Sequence, residues 1–267
     1  MRKRQLVAVL VMGLLCVASA HAAILVQDDF SHPVGNLVGQ TPDVGLTWAA
    51  HSVEGVQPVQ VVADGLGGSG AAQLVQASGS REDVSSGFAG GEVAGAGEKF
   101  YASFWVKVSA GSPVGAVYFA HFAASATLFT AKVGVADAIG GFQFAFFSAA
   151  TTVDATYPTT YAMDAWHQVA VSYDFDSGLS EMWVDPVAGL GENEAGQVTR
   201  ITSTVAYVGD LISSFALRQT APGGDGSTQV VDNLLVATSF GEVVPEPATM
   251  ALLVLGAAAL LRNRRTA

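Results

Sequence analysis

Short runs of β-branched and aromatic residues, separated by glycine, serine, aspartate and proline, extend from residue 23 to about residue 241. Such runs predict β-strands, and the sequence shows no long apolar stripe with the 3.6-residue period of a helix between them. The 30 glycines and nine prolines of the chain favour turns between short strands. The pattern therefore favours an all-β sandwich over an α/β fold. The predicted strands are 24–27, 100–108, 114–122, 129–135, 141–147, 166–174, 180–184, 206–211 and 230–237.

The segment 166–184 predicts a hairpin in detail. Its first strand alternates between two faces, and a turn follows in which Gly178 supplies the positive φ that such turns often need. Residues 179–184 then return as the second strand. One face of the first strand carries Trp166, Gln168, Ala170, Ser172 and Asp174, and the other carries His167, Val169, Val171 and Tyr173.

This hairpin resembles the W-H-x-V hairpin of laminin-G-like and concanavalin A-like jelly rolls. An Asp-Phe strand near residues 26–30 and an Asp-Asn strand near residues 231–236 are also typical of secreted jelly rolls. The resemblance implies a jelly-roll β-sandwich over residues 23–241 in which the first and last strands pair. The pattern does not place the strands of residues 43–98, which are rich in glycine and valine.

Residues 1–22 have the three parts of a secretory signal peptide. Basic residues 2–4 form the positive region, residues 6–17 form a short apolar region, and Ala20 and Ala22 fit the small-residue pattern of a cleavage site. We expect cleavage after Ala22, with cleavage after Ala20 as the alternative. An uncleaved anchor is the other interpretation, but the apolar run is shorter than the ~20 residues that a spanning helix needs.

The single cysteine of the chain, Cys16, lies in this apolar region. Cleavage would therefore leave a mature protein without a thiol, which argues against disulfides, thiolate metal sites and cysteine catalysis. A lipoprotein signal needs a small residue before its cysteine, and Leu15 occupies that position.

The other end of the chain, residues 242–267, contains three features in order. A Pro-Glu-Pro tripeptide stops any preceding strand or helix, because proline lacks a backbone donor and fixes φ. Residues 248–261 are apolar or small and predict a transmembrane helix slightly shorter than a full span. The arginine cluster that follows would stay on the cytoplasmic side.

This order resembles the PEP-CTERM sorting signal of Gram-negative bacteria. The resemblance implies recognition by an exosortase, a membrane-embedded transpeptidase-like enzyme that cleaves near the motif, and an association with exopolysaccharide production. A plain carboxyl-terminal anchor is the alternative. Under the resemblance, the recognition element is Pro245, Glu246 and Pro247, and the retention charges are Arg262, Arg264 and Arg265.

The domain between the two ends is strongly acidic. Six of the 12 basic residues lie in the terminal segments, so residues 23–244 keep six bases against 22 acids, a net charge of −16. Such a surface repels phosphate backbones and argues against nucleic-acid binding. Jelly rolls often hold Ca²⁺ near their paired terminal strands, and the candidates are Asp28, Asp29 and Asp232. In the alternative interpretation these acids cap strand edges and discourage aggregation.

The sequence gives no pattern of a catalytic site, so we expect no enzymatic activity. Glycoside hydrolases need two carboxylates about 5–9 Å apart, and the Glu-x-Asp-x-Glu signature of glucanases is absent. Glu181 and Asp185 are separated by the expected strand end, and Asp174 and Asp176 flank a turn. There is no Gly-x-Ser-x-Gly elbow. The histidines of the domain have no metal-ligand spacing: His32, His51, His121 and His167.

Sugar binding would require exposed aromatic rings beside polar groups. Three of the four tryptophans lie in predicted strands, and we expect them in the core: Trp105, Trp166 and Trp183. Trp48 and the loop tyrosines Tyr157 and Tyr161 are better placed to be exposed, and they are the candidate ligand-binding residues.

The sequence thus predicts an exported protein of the cell surface, outer membrane or extracellular matrix, anchored transiently in the inner membrane by its carboxyl-terminal helix. Its expected partners are the secretion machinery, signal peptidase, an exosortase and extracellular polysaccharide. The leading hypothesis is a non-catalytic module associated with glycans. The alternatives are a glycan-active enzyme on the same fold and a purely structural surface protein.

Overall fold

A computed structural model describes residues 23–90, 97–109, 116–125, 127–149, 151–207, 211–219 and 227–245. The predicted signal peptide, Glu246, Pro247, the predicted transmembrane segment and the basic tail lie outside these residues. Within the described ranges, no helix is long and apolar enough to cross a membrane.

The described chain forms two antiparallel β-sheets, as the alternating pattern predicts. Sheet A contains β1 (Ile24–Asp28), β2 (Gly35–Asn36), β4 (Gln60–Val62), β5 (Ala71–Val75), β7 (Lys99–Ser109), β12 (Trp166–Asp174), β13 (Ser180–Val184), β14 (Ile201–Thr202) and β16 (Thr228–Ala237). Sheet B contains β3 (Ala49–Ser52), β6 (Asp83–Gly87), β8 (Val117–Ala123), β9 (Phe129–Ala138), β10 (Gly141–Phe147), β11 (Val153–Thr156) and β15 (Ser214–Leu217). A short 3₁₀ helix, Leu66–Gly68, and one helical turn, α1 (Phe240–Val243), complete the described elements.

The strand order of sheet A is β14-β13-β12-β7-β16-β5-β4-β2, with β1 on β16. Strand β5 pairs with the first part of β16, and β1 pairs with the last part, where Asp28 lies opposite Leu234. The predicted pairing of the first and last strands is therefore confirmed. The order of sheet B is β11-β10-β9-β8-β15-β6-β3.

The core lies between the two sheets and is rich in phenylalanine. Every second residue of β7 points into it, and Phe104 meets Phe119 of sheet B edge to face, with ring centroids 5.9 Å apart. Within sheet B, the register partners Phe122 and Phe215 also meet edge to face, with ring centroids 5.3 Å apart. Burial of large aromatic side chains is the main stabilising contribution in such a sandwich.

The predicted hairpin is confirmed, with β12 and β13 at the expected residues and Val169, Val171 and Tyr173 in the core. The predicted strand 206–211 is wrong in its described part, because Ala206 and Tyr207 belong to no strand. The chain instead forms two short strands on either side, β14 and β15. Residues 43–98, which the pattern did not resolve, contain β3 to β6.

The packed domain continues beyond the predicted boundary at residue 241. After β16 the chain forms α1 and then lies on the outer face of sheet A; we call residues 240–244 the stem. Phe240, Val243 and Val244 are buried there against Tyr101 and Trp183. The stem therefore belongs to the folded domain.

Candidate functional site

Strands β7 and β12 place aromatic and polar side chains side by side on the outer face of sheet A. Because β7 alternates, Phe104 and Val106 enter the core while Trp105 points outward. Gln168 of β12 is the register partner of Trp105, so the two side chains are neighbours. Both are partly exposed.

A cleft of about 350 Å³ opens beside this pair. One part of its lining consists of Ser103 and Trp105 of β7 and Gln168 of β12. Two further amide residues line it as well, Gln27 of β1 and Asn233 of β16. The lining thus includes one partly exposed aromatic residue, three amide residues and the acidic residues Asp28 and Asp29.

A β-bulge in β16 shapes the floor of the cleft. Asp232 pairs with Trp105 and Leu235 pairs with Ser103, so two residues of β16 lie opposite the single Phe104. One of the two, Asn233, has a φ of 49°, in the left-handed region that asparagine tolerates. Bulges bend a strand and redirect its side chains, which explains how Asn233 comes to line the cleft.

A second partly exposed tryptophan lies on the same face. Trp166 is the register partner of Lys107, whose ammonium group lies 5.1 Å from the centre of the Trp166 ring. Lys107 also forms an ion pair of 2.8 Å with Asp64. The expectation that Trp105 and Trp166 lie in the core is therefore wrong, and only Trp183 is fully buried among the three strand tryptophans.

The stem forms one wall of the cleft. The Ser103 hydroxyl donates a hydrogen bond of 2.6 Å to the backbone carbonyl of Val243, and Val243 and Pro245 both line the cavity. Phe240 packs on the opposite side of the stem, with its ring centre 6.0 Å from that of Tyr101 and 4.9 Å from that of Trp183.

A second cleft, of about 450 Å³, lies on the Phe240 side of the stem and is more acidic. Glu192, in its lining, pairs with Lys99 at 3.6 Å and accepts a hydrogen bond of 3.0 Å from the Tyr101 hydroxyl. Burial, and then the charge of Glu192, raise the pKa of Tyr101. Glu181, nearby, is held by Lys99 at 3.4 Å and by Arg200 at 2.5 Å. These carboxylates therefore have cationic partners within the protein.

Two of the three predicted calcium ligands, Asp28 and Asp29, line the first cleft, and all three accept hydrogen bonds from donors of the protein itself. Asp28 accepts hydrogen bonds from the indole N–H of Trp48 at 2.6 Å and from the backbone N–H of Phe30 at 2.7 Å. Asp29 accepts a hydrogen bond of 2.9 Å from the backbone N–H of Ser31. Asp232 accepts from two backbone N–H groups and a serine hydroxyl, and burial raises its pKa. Across the described ranges, no group of three or more acidic, histidine or cysteine side chains is arranged to hold a metal.

The structure places the predicted sugar-binding aromatics in the core rather than on the surface. Trp48 is buried because its indole reaches Asp28 and its ring packs on Phe30. Tyr157 and Tyr161 are also buried, because the loop after β11 folds back over the edge of sheet B and bridges to Phe142. The expectation that these three residues are exposed is therefore wrong.

A buried polar cluster on sheet B was not predicted from the sequence. The rings of His51 and His121 lie 5.7 Å apart, although the two residues are 70 positions apart in the chain. Tyr118 lies next to His121 and beneath the guanidinium of Arg218, which is 4.3 Å from the ring centre. Burial lowers the pKa of His121 well below its ordinary value, with the charges of His51, Arg218 and Lys132 as smaller causes.

A family model described as the PEP-CTERM protein-sorting motif matches residues 243–265. The chain carries this sorting motif. The predicted PEP-CTERM motif is thus confirmed, and it implies exosortase-dependent export and membrane-anchored sorting through the carboxyl terminus. Its first residue, Val243, is buried in the stem.

Solved structures resemble the sandwich. A protein of unknown function from Shewanella oneidensis MR-1 has a TM-score of 0.51 and 14% identity, over 83% of this chain and 88% of that one. This likeness shows the fold alone. A botulinum neurotoxin type C structure has a TM-score of 0.47 and 9% identity over 82% of this chain. The binding domain of botulinum neurotoxin DC has a TM-score of 0.48 and 9% identity over the same share.

This chain spans about half the length of the two neurotoxin chains, 48% and 47%. No curated protein matches it in sequence.

Proposed function

We propose that this protein is a non-catalytic polysaccharide-binding module of the cell surface or extracellular matrix, built on a jelly-roll sandwich and sorted by its PEP-CTERM motif. The observation that carries the proposal is the cleft on sheet A, whose lining includes Trp105 and the amide residues Gln27, Gln168 and Asn233. Sugars present an apolar face of C–H groups and a rim of hydroxyls. A partly exposed indole suits the apolar face, and side-chain amides suit the hydroxyls.

The charge of the domain narrows the class of ligand. Residues 23–244 carry a net charge of −16, and Asp29 lies at the cleft itself. A polyanion such as a polyuronate would approach against this field. We therefore expect neutral polysaccharides to bind better than acidic ones.

Glu181 and Asp185, the two acids four positions apart that the sequence offers as a glycosidase pair, are engaged in contacts within the protein, which favours a binding role over hydrolysis. Glu181 is paired with Lys99 and Arg200, and Asp185 is paired with His167 at 2.9 Å and accepts from the Gln168 backbone N–H. A general acid or nucleophile must be available to the glycosidic bond, whereas these groups hold neighbouring strands together.

Affinity electrophoresis and calorimetry of the mature protein with a soluble neutral β-glucan, the exopolysaccharide of the producing cells and a polyuronate test the proposal. We expect binding to at least one of the first two polymers and weaker binding to the polyuronate. Trp105→Ala should weaken binding by at least about tenfold, because removal of a central aromatic contact commonly costs more than 1 kcal/mol. Trp105→Phe should retain part of the affinity.

The matched control is Ile139→Ala, a fully exposed apolar residue in the turn between β9 and β10 on the other sheet. It should leave the affinity unchanged. The proposal would be overturned if neither the neutral β-glucan nor the exopolysaccharide bound, or if Trp105→Ala and Ile139→Ala had the same effect on affinity.

A further inference from the structure

The sorting motif begins inside the wall of the proposed binding cleft. Val243 is the first residue that the motif matches, and its carbonyl is fixed by the Ser103 hydroxyl. Pro245, the first residue of the Pro-Glu-Pro tripeptide, lines the same cleft. The start of the tripeptide that the exosortase would recognise and the opening of the cleft therefore lie in the same small region of the surface.

The stem is held firmly in this position. Val243 and Val244 are 1% and 2% exposed, and Phe240 is 5% exposed. They pack on the apolar strip of sheet A that includes Tyr101, Ala170 and Trp183. Because apolar burial and a short hydrogen bond oppose its release, the stem does not act as a flexible linker. The point at which the chain leaves the domain is fixed at the rim of the cleft.

In the anchored precursor, the predicted transmembrane segment would hold this rim close to the bilayer. Only Glu246 and Pro247 separate Pro245 from Ala248, where the apolar run begins. Three residues span at most about 11 Å when fully extended, and the lipid headgroups on one side of a bilayer occupy about 5–7 Å. Roughly 4–6 Å would remain between Pro245 and the headgroups, too little for a hydrated polysaccharide chain to enter the cleft on that side.

We propose that the membrane closes the Trp105 cleft in the anchored precursor, and that cleavage at the sorting motif opens it. Polysaccharide binding is then confined to the sorted protein and is prevented while the chain is still at the inner membrane. This inference rests on the proposed binding function and on anchoring through the carboxyl terminus. It adds that cleavage at the sorting motif regulates polysaccharide binding.

The test compares three forms of the protein that lack the signal peptide. The first is the precursor, residues 23–267, in lipid nanodiscs. The second is the same precursor with a flexible Gly/Ser linker of about 20 residues between Pro247 and Ala248, enough to move the domain well away from the bilayer. The third is the released protein, residues 23–247. The probes are the neutral β-glucan and the host exopolysaccharide.

We expect the released protein and the linker precursor to bind alike, and the direct precursor to bind at least about tenfold more weakly. Equal binding by all three forms would overturn the closure but leave the proposed function intact. A lack of binding by all three would overturn the proposed function itself.

A second measurement detects closure without any sugar. The mature sequence has no cysteine, so Gln168→Cys introduces a single thiol at the cleft and Ile139→Cys a single thiol on the other sheet. A bulky polymer-linked maleimide should modify the residue at position 168 much more slowly in the direct precursor than in the linker precursor. The residue at position 139 should react equally in both. Equal rates at position 168 would contradict the proposal whatever the sugar experiment gave.

Discussion

His121 shows, at the scale of one residue, how burial in sheet B links stability to pH. Its side chain is fully buried, and neither ring nitrogen has a hydrogen-bond partner in the described part of the chain. Burial lowers its pKa well below the ordinary value near 6.5. The unfolded chain therefore binds a proton below about pH 6.5 that the folded chain refuses, and stability falls as the pH decreases.

We expect His121→Phe to reduce this acid sensitivity. An aromatic ring suits the site because Phe129 and Tyr118 already pack around it, with ring centres 4.4 and 5.6 Å away. One proton that only the unfolded state binds costs about 1.4 kcal/mol per pH unit. Urea unfolding should therefore show that the free energy of unfolding falls less in the variant than in the parent protein between pH 6.5 and pH 5, by up to about 2 kcal/mol. Between pH 7.5 and 8.5, where histidine is neutral in both the folded and the unfolded state, the free energy of unfolding should change with pH equally in the two proteins.

At the scale of strands, the sequence predicts the long strands and the β12–β13 hairpin, but not the short strands β3 to β6. Strands β12 and β13 were predicted to the residue, and β10 likewise. The two-residue β14 and the four-residue β15 are too short to show a period. The pattern therefore predicts one strand at residues 206–211 in their place.

The same limit applies to the tryptophans of the candidate site. Alternation assigns Trp105 and Trp183 to strands, but it does not say what covers the outer face of a sheet. The stem buries Trp183 through Phe240 and leaves Trp105 beside an open cleft. That difference depends on a segment more than 50 residues away from either tryptophan in the sequence, which local pattern does not reveal.

The stem itself is the element whose contribution is easiest to measure. Phe240→Ala removes a ring that is 5% exposed and contacts Tyr101 and Trp183. We expect it to lower the free energy of unfolding of the mature protein by about 3 kcal/mol, as is common for buried phenylalanines. Glu242→Ala, an exposed change in the same turn, should cost less than about 0.5 kcal/mol. Similar values for both variants would mean that the stem does not stabilise the domain.

At the scale of the whole molecule, the two ends of the domain lie side by side. The Ala23 N–H donates to the Thr238 hydroxyl at 3.0 Å, and the Thr238 N–H donates to the Ala23 carbonyl at 3.1 Å. The predicted signal-peptide junction and the start of the stem therefore lie together, where β1 begins and β16 ends.

This arrangement fixes where processing can occur without damage to the fold. Strand β1 begins at Ile24, so cleavage after Ala22 removes the signal and keeps every strand residue. At the other end, a cut before Val244 would remove buried residues of the stem, whereas a cut among residues 245–248 would keep them all. We therefore expect mass spectrometry of the mature protein from its native host to give an amino terminus at Ala23 and a carboxyl terminus between residues 245 and 248. A terminus at His21 would favour the alternative cleavage site, after Ala20. A chain intact from Met1 to Ala267, or one that ends before Phe240, would contradict the sorting scheme, because the first has not been processed and the second has lost the wall of its own cleft.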